Sequence, residues 1–273
     1  MNNKLVVLAG ISEKYRKEVS EEFRKREYFV CNNAELETIQ KKLKAGKDVL
    51  YNHPNTTHIE RKKILNAVKD IECRKTCIIV AVPYEECKED VEKYYREWET
   101  PYYYEGWDKI SVSLGKYKGY YGKPEDFIEK SKNYDLYRKN HSNTLGMHCY
   151  KTYENIKIPC KALKNAALLH DCGKLYTQEI IESKNEKGET IKKARYKNHD
   201  NAGSYNSFFY EQDNPLLCSI LIGLHMKPYE WDKKNNLYSY HIKNELSTIY
   251  KKRWGKDIYH LVMALHKADK KAH

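Results

Sequence analysis

Cys77-Ile78-Ile79-Val80-Ala81-Val82 is a continuous apolar run, rich in β-branched residues and closed by Pro83. Such a run reads as a strand buried on both faces. Outward from it, Leu5-Val6-Val7-Leu8-Ala9 repeats the pattern. Tyr28-Phe29-Val30, Asp48-Val49-Leu50-Tyr51 and the segment Ile110 to Leu114 are shorter strand candidates. Helix-forming stretches lie between them: Glu13 to Lys25, Ala34 to Lys44, Thr57 to Val68 and Tyr84 to Trp98. Asn33 is placed to cap the second of these and Gly46 to stop it. Strands separated by helices of this length predict a mostly parallel sheet with helices on both faces.

The chain has 273 residues, 40% hydrophobic and 32% charged, an ordinary globular balance long enough for two medium domains. No run approaches the roughly 18 apolar residues of a membrane span. The opening MNNKLVVLAGISEKYRKE reads as a first strand rather than a signal peptide. The eight cysteines are scattered and form no C-x-x-C pair, which suits free thiols in a reducing, cytoplasmic setting. Residues 1–135 hold 26 Lys and Arg against 24 Asp and Glu, a surplus of +2. Residues 136–273 hold 24 against 14, a surplus of +10. A basic second half favours polyanions, nucleotides or nucleic acid, although a solvated Lys-rich surface gives the same numbers.

A parallel sheet of this kind often carries a phosphate-binding loop after its first strand, built as G-x-x-x-x-G-K-[ST]. Here Ala9 is followed by Gly10-Ile11-Ser12-Glu13-Lys14-Tyr15-Arg16-Lys17, and only the first glycine remains. The segments DVLYNHPNTTHIERKKIL (48–65), VPYEEC (82–87) and PYYYEGWDKI (101–110) nevertheless resemble the P-loop polynucleotide kinase-like family over about residues 4–115. Asn52 stands where that family has an acid, and Lys88 to Glu99 lacks its paired arginines. The resemblance therefore implies a degenerate kinase fold without phosphoryl transfer, each missing part being one that stabilises charge.

Beyond a polar stretch near residue 135 the apolar spacing turns helical. Cys160 to Leu169, Leu216 to Leu224 and Asp257 to Asp269 predict helices, and Ser183 to Tyr196 a hairpin or loop around Gly188. Histidines fall at the edges of these elements: His148, His170 beside Asp171, His199, and His225, with Asp269 on the last helix. Imidazoles and carboxylates from separate helices can surround a divalent metal, and a carboxylate can bridge two ions. A lone His-Asp pair is weak, since His199-Asp200 repeats it; the ordered set carries the signal.

The order H…HD…H…H…D resembles the HD phosphohydrolase superfamily. The local words TLGMH (144–148), ALLHDCGK (167–174), YKNHDNAGSY (196–205), LIGLHMKP (221–228) and ALHKADKKAH (264–273) agree. This resemblance covers residues 138–273. By position it implies His148, His170, Asp171, His199, His225 and Asp269 as metal ligands, a number that suggests two ions drawn from Mn, Fe, Ni, Co or Mg. His170, Asp171 and Lys174 are then the catalytic residues; by their places near these ligands His141, Lys174 and Lys227 are candidate contacts to substrate phosphate, with a surface histidine and solvated lysines as the alternatives. His266 competes with Asp269 for the final ligand place. His260 and His273 read as structural or as supports behind the ligands, and Cys149 and Cys172 as buried packing.

The expected protein is an α/β domain (1–135) with a P-loop kinase-like parallel sheet, followed by an all-α HD domain (136–273). Its expected function is metal-dependent hydrolysis of a nucleotide or nucleic-acid phosphate, with RNA or DNA binding by the basic half and no membrane partner. Hydrolysis of a signalling cyclic nucleotide or a dinucleoside polyphosphate is the nearest alternative. A nucleic-acid-binding or interaction protein with a structural metal site is the alternative of another class. Oligomeric state is not legible in the sequence.

Overall fold

The computed structural model describes residues 3–32, 36–87, 91–102, 105–137, 143–184, 190–231 and 258–273. The chain divides into two compact units, Met1–Tyr117 and Lys118–His273.

The first unit is a parallel sheet with helices. Its strands are β1 (Asn3–Ala9), β2 (Phe29–Asn32), β3 (Val49–Asn52), β4 (Cys73–Val80) and β5 (Lys109–Ser113), in the order β2-β3-β1-β4-β5. All pairings are parallel, with Val7 opposite Tyr51 on one side and Cys77 on the other. The central strands are apolar because both faces are covered: Leu5, Val7, Leu8, Val49, Leu50, Cys77 and Ile79 are buried. Helices α1 (Glu13–Arg24), α2 (Leu36–Lys44), α3 (His58–Ala67) and α4 (Glu92–Arg96) connect them. Helix α3 starts on a capping box, in which the Thr57 side chain accepts from the Glu60 N–H and Glu60 accepts from the Thr57 N–H. Its buried Arg61 makes a two-pronged pair with Glu105 at 2.8 Å on each prong.

Two sequence expectations shift here. The strand foreseen at 77–82 begins four residues earlier, at Cys73, and ends at Val80. Its first half, Arg74-Lys75-Thr76, is partly exposed, so it carries no apolar signature; the β1 ladder fixes it instead. The single helix expected over Tyr84 to Trp98 is a 3-10 turn (Tyr84–Glu86) and the short α4. One helix there would set Glu85 and Glu86 four residues before Glu89 and Asp90, a like-charge spacing that disfavours it.

The second unit contains α5 (Pro124–Ser131), α6 (Leu145–Asn155), α7 (Lys161–Leu169), α8 (Lys174–Thr177), α9 (His199–Asn206), α10 (Pro215–Leu224), α11 (Lys227–Trp231) and α12 (Ile258–Ala272). Helices α6, α7, α10 and α12 pack around Leu145, Cys149, Leu163, Ala166, Ile220, Leu221 and Leu265. The all-α expectation needs correction. Strands β6 (Gln178–Lys184) and β7 (Thr190–Tyr196) form an antiparallel hairpin at the segment whose charge and Gly188 argued against a helix. The composition shift near residue 135 also lies inside this unit. Helix α5 packs on α6 so closely that a Cβ at Gly146 would stand 2.6 Å from the Ile128 carbonyl oxygen. Among the described residues no helix is long and apolar enough to cross a membrane.

Candidate metal centre

Each candidate ligand is placed by the end or first turn of an element. Thr144 caps α6 by accepting from the Met147 N–H, and His148 follows one turn in. Helix α7 ends at Leu169, and His170 caps it with helical backbone angles, so Asp171 emerges directly beyond the last turn. Asn198 takes a left-handed conformation (φ 59°) and sets His199 at the start of α9. His225 caps the apolar α10, and Asp269 lies on α12. All six are buried.

Gly173 brings α9 to the dyad. A Cβ there would lie 2.0 Å from the His199 carbonyl oxygen and 2.5 Å from the Gly203 nitrogen, so only glycine allows this approach.

Three imidazoles are oriented by the same device. The Nδ1–H groups of His170, His199 and His225 donate to the carbonyls of Ala167, Tyr196 and Ile222 at 3.0, 2.9 and 2.7 Å. A carbonyl only accepts, so each ring carries a proton on Nδ1 and turns Nε2 inward. His148 Nε2 lies 3.1 Å from His170 Nε2 and 3.0 Å from Asp269 Oδ1.

Asp171 is divided between two groups. Its Oδ2 is 3.5 Å from both His148 Nε2 and His170 Nε2. Its Oδ1 is 3.3 Å from His199 Nε2 and 3.8 Å from His225 Nε2. The donor atoms of His148, His170 and Asp269, and separately those of Asp171, His199 and His225, lie within 4.8 Å of one another and could hold a metal ion. Cys149, His170 and Asp171 make a third such group.

The electrostatics follow from this crowding. Burial opposes charge on Asp171, but Lys174, His170 and His199 hold its carboxyl well below the usual range. Burial likewise works against Asp269, and hydrogen bonds from His148 and His170 keep it ionised. His225 is pushed down to about 4 by burial and by its neighbours His199 and His170, so it is a neutral donor at pH 7. Burial opposes charge on His170, but Asp171, Cys149 and Asp269 raise its affinity for a proton well above the ordinary histidine range, so a divalent cation would displace that proton.

The remaining candidates are placed unevenly. Lys174 is not a solvated lysine: it is only 4% exposed, its ammonium pairs with Asp171 Oδ2, and it lies 5.6 Å from the Tyr196 ring centre. Lys227 opens α11, two residues past His225. His141 lies outside the described residues. His266 packs edge-on against Tyr229 at 4.4 Å and belongs to none of the three groups.

Sequence reasoning missed two participants and understated a third. Tyr229 donates its hydroxyl to Asp269 Oδ2 at 3.3 Å, opposite the oxygen that faces His148. No spacing rule links positions 229 and 269. Cys149 stands among the ligands rather than only behind them; its adjacency to His148 was the available sign. His273 stacks on His148 at 4.6 Å with Nε2 3.6 Å from Asp269 Oδ1, a neighbour its four-residue spacing from Asp269 foretold.

In the first unit the turn after β1 is only Gly10-Ile11-Ser12 before α1 begins. The Gly10 N–H donates to the Pro54 carbonyl (2.9 Å), the Gly10 carbonyl accepts from Arg16 Nη1 (2.6 Å), and Ile11 is buried. A phosphate cradle needs several free N–H groups there.

No curated protein matches the chain. A family model described as an AAA domain matches residues 7–102, so the first unit, with its parallel sheet, is similar to P-loop kinase-like AAA domains and points to nucleotide or polynucleotide chemistry.

Proposed function

We propose that the chain is a metal-dependent phosphohydrolase of the HD type, acting on a nucleotide or nucleic-acid phosphate. A degenerate kinase-like domain (about 1–117) precedes the hydrolase domain (about 118–273). The observation that carries this reading is the split carboxylate of Asp171, one oxygen toward His148 and His170 and the other toward His199 and His225. A carboxylate shared in this way, with imidazole nitrogens on both sides, fits a pair of divalent ions.

When bound, such a pair supplies a nucleophile from water at neutral pH and offsets charge on phosphate oxygens. In this reading His148, His170 and Asp269 would hold one ion and His199 and His225 the other, with Asp171 shared by both groups. Lys174 keeps Asp171 ionised and aimed inward. His141 and Lys227 are assigned to substrate phosphate by their place in the sequence. The surplus of +10 beyond residue 135 draws polyanionic substrates toward this half.

The test measures metal content and then hydrolysis of a phosphoester panel with Mn, Fe, Ni, Co and Mg. The panel includes 2′,3′-cyclic and 3′-terminal phosphates, cyclic nucleotides and dinucleoside polyphosphates. Wild type should bind metal and turn over one class, and Asp171→Ala should do neither. Equal activity in the two proteins would sink the proposal.

A further inference from the structure

The first unit has a cavity of about 990 Å³ beyond the carboxyl ends of β1, β2 and β3, where open parallel sheets hold ligands. Its charges cancel: α1 supplies Lys14, Arg16 and Lys17 together with Glu13, Glu18 and Glu21, and Lys17 pairs with Glu13 at 2.6 Å. It therefore lacks the cationic surplus that a polyphosphate requires.

Its floor is an amide pair. Asn52, at the end of β3 and 5% exposed, donates from Nδ2 to Asn32 Oδ1 at the end of β2 (2.9 Å). Asn52 Oδ1 is buried without a hydrogen-bond partner. An unsatisfied buried acceptor costs about 1–3 kcal/mol, so it marks a place for a missing donor. Asn32 and Asn52 both line the cavity, so the orphan acceptor belongs to a carboxamide that stands at its wall. Flat rings stand beside it. His53 lines the cavity and lies nearly parallel to Tyr51, with centres 5.9 Å apart and planes 12° apart, and Tyr94 lines the cavity as well. Burial lowers the affinity of His53 for a proton, which leaves this wall uncharged at pH 7.

We infer that this cavity binds a neutral nucleobase, read by the Asn32-Asn52 amide pair and stacked on the His53 and Tyr94 rings, with no phosphoryl transfer. A base has the required form: a planar face for stacking and an edge with donor and acceptor side by side, which a carboxamide matches. The base can arrive as a free nucleoside or as an unpaired residue of a single strand. This site is independent of the metal centre and of the hydrolase reading.

The test uses the full chain and calorimetric titration with adenosine, guanosine, cytidine and uridine, and with ribose 5-phosphate and inorganic phosphate as controls. At least one nucleoside should bind, and the two controls should not. Loss of the amide in Asn52→Leu should weaken binding at least about tenfold. Asn32→Ala at the exposed member of the pair and His53→Ala should each weaken it too, so the result does not hang on one variant folding. Asp171→Ala should bind as wild type. A short unpaired oligonucleotide that binds more tightly than its own nucleoside assigns the base to a strand; equal affinity assigns it to a free nucleoside. The inference fails if no nucleoside binds, if ribose 5-phosphate binds as well, or if binding survives Asn52→Leu and Asn32→Ala. It also fails if binding is lost in Asp171→Ala, which would put the ligand in the metal centre.

Discussion

The turn after β1 and the cluster around Asp171 are both places where nucleotide chemistry is looked for, and they differ in what their polar groups do. At Gly10 the groups are already spoken for: the N–H serves Pro54 and the carbonyl serves Arg16. Around Asp171 three rings are anchored outward, through Nδ1 to carbonyls, and their Nε2 atoms converge inward on carboxylate oxygens. Buried charge in the first unit closes on itself, as in the Arg61-Glu105 pair. Buried charge in the second unit is gathered into groups that could hold a metal ion. Burial of charge alone does not mark a functional site; the direction of the unused donor atoms does.

This contrast can be broken by mutation. The largest effect should fall on Asp171→Ala: metal binding and phosphoester hydrolysis drop by more than the roughly 10–100-fold typical of merely supporting residues, read by metal analysis and turnover. The fold of the first unit, followed by its own melting transition, should not change. If Gly10→Asp matched that loss of hydrolysis, the contrast would be wrong.

The next effect is on stability. Arg61→Ala leaves Glu105 buried and unpaired and should cost about 3–5 kcal/mol in a denaturant titration. The same pair gives a pH signature. Burial would raise the Glu105 carboxyl above its ordinary 4.5, yet Arg61, with hydrogen bonds from His58 and Trp107, brings it down to about 2. A depressed folded-state value stabilises above the unfolded value and is lost as pH falls through the folded one. Stability of the first unit should therefore decline between about pH 4.5 and pH 2, and Glu105→Gln should flatten that decline.

Gly173→Ala should cost about 1–3 kcal/mol, because its new methyl meets the His199 backbone rather than a yielding side chain. Metal affinity should fall with it, since His199 is displaced. The smallest effect belongs to Tyr229→Phe. It removes only the hydroxyl bonded to Asp269 and should lower metal affinity by about tenfold at most, with the melting temperature of the apo protein unchanged. A Tyr229→Phe protein with wild-type metal affinity would remove Tyr229 from the account.

What the sequence disclosed tracks how local each feature is. The central strands were legible because burial on both faces writes itself as unbroken apolar runs, Leu5 to Ala9 and Cys77 to Val80. The polar start of β4 was not, since its partner is 70 residues away and the ladder replaces the apolar signal. The Ser183 to Tyr196 segment was legible as a hairpin or loop, but the start of its first strand at Gln178 was not, and the pair of strands departs from the all-helical class. In the candidate site the order of histidines and aspartates could be read along the chain. Gly173, Tyr229 and the burial of Lys174 could not, because each depends on an approach between elements distant in sequence or on depth.

The backbone carbonyls that hold His170 and His225 belong to the last turns of α7 and α10. Each ring thus stands at the carboxyl end of its helix, where the aligned peptide dipoles leave partial negative charge. Both ends favour a cation by about 0.3–1 kcal/mol apiece in exposed settings and by more when buried. The field is fixed by the helices themselves, so the attraction is in place before any ligand atom moves. A metal ion entering between these helix ends would meet a pocket already poled.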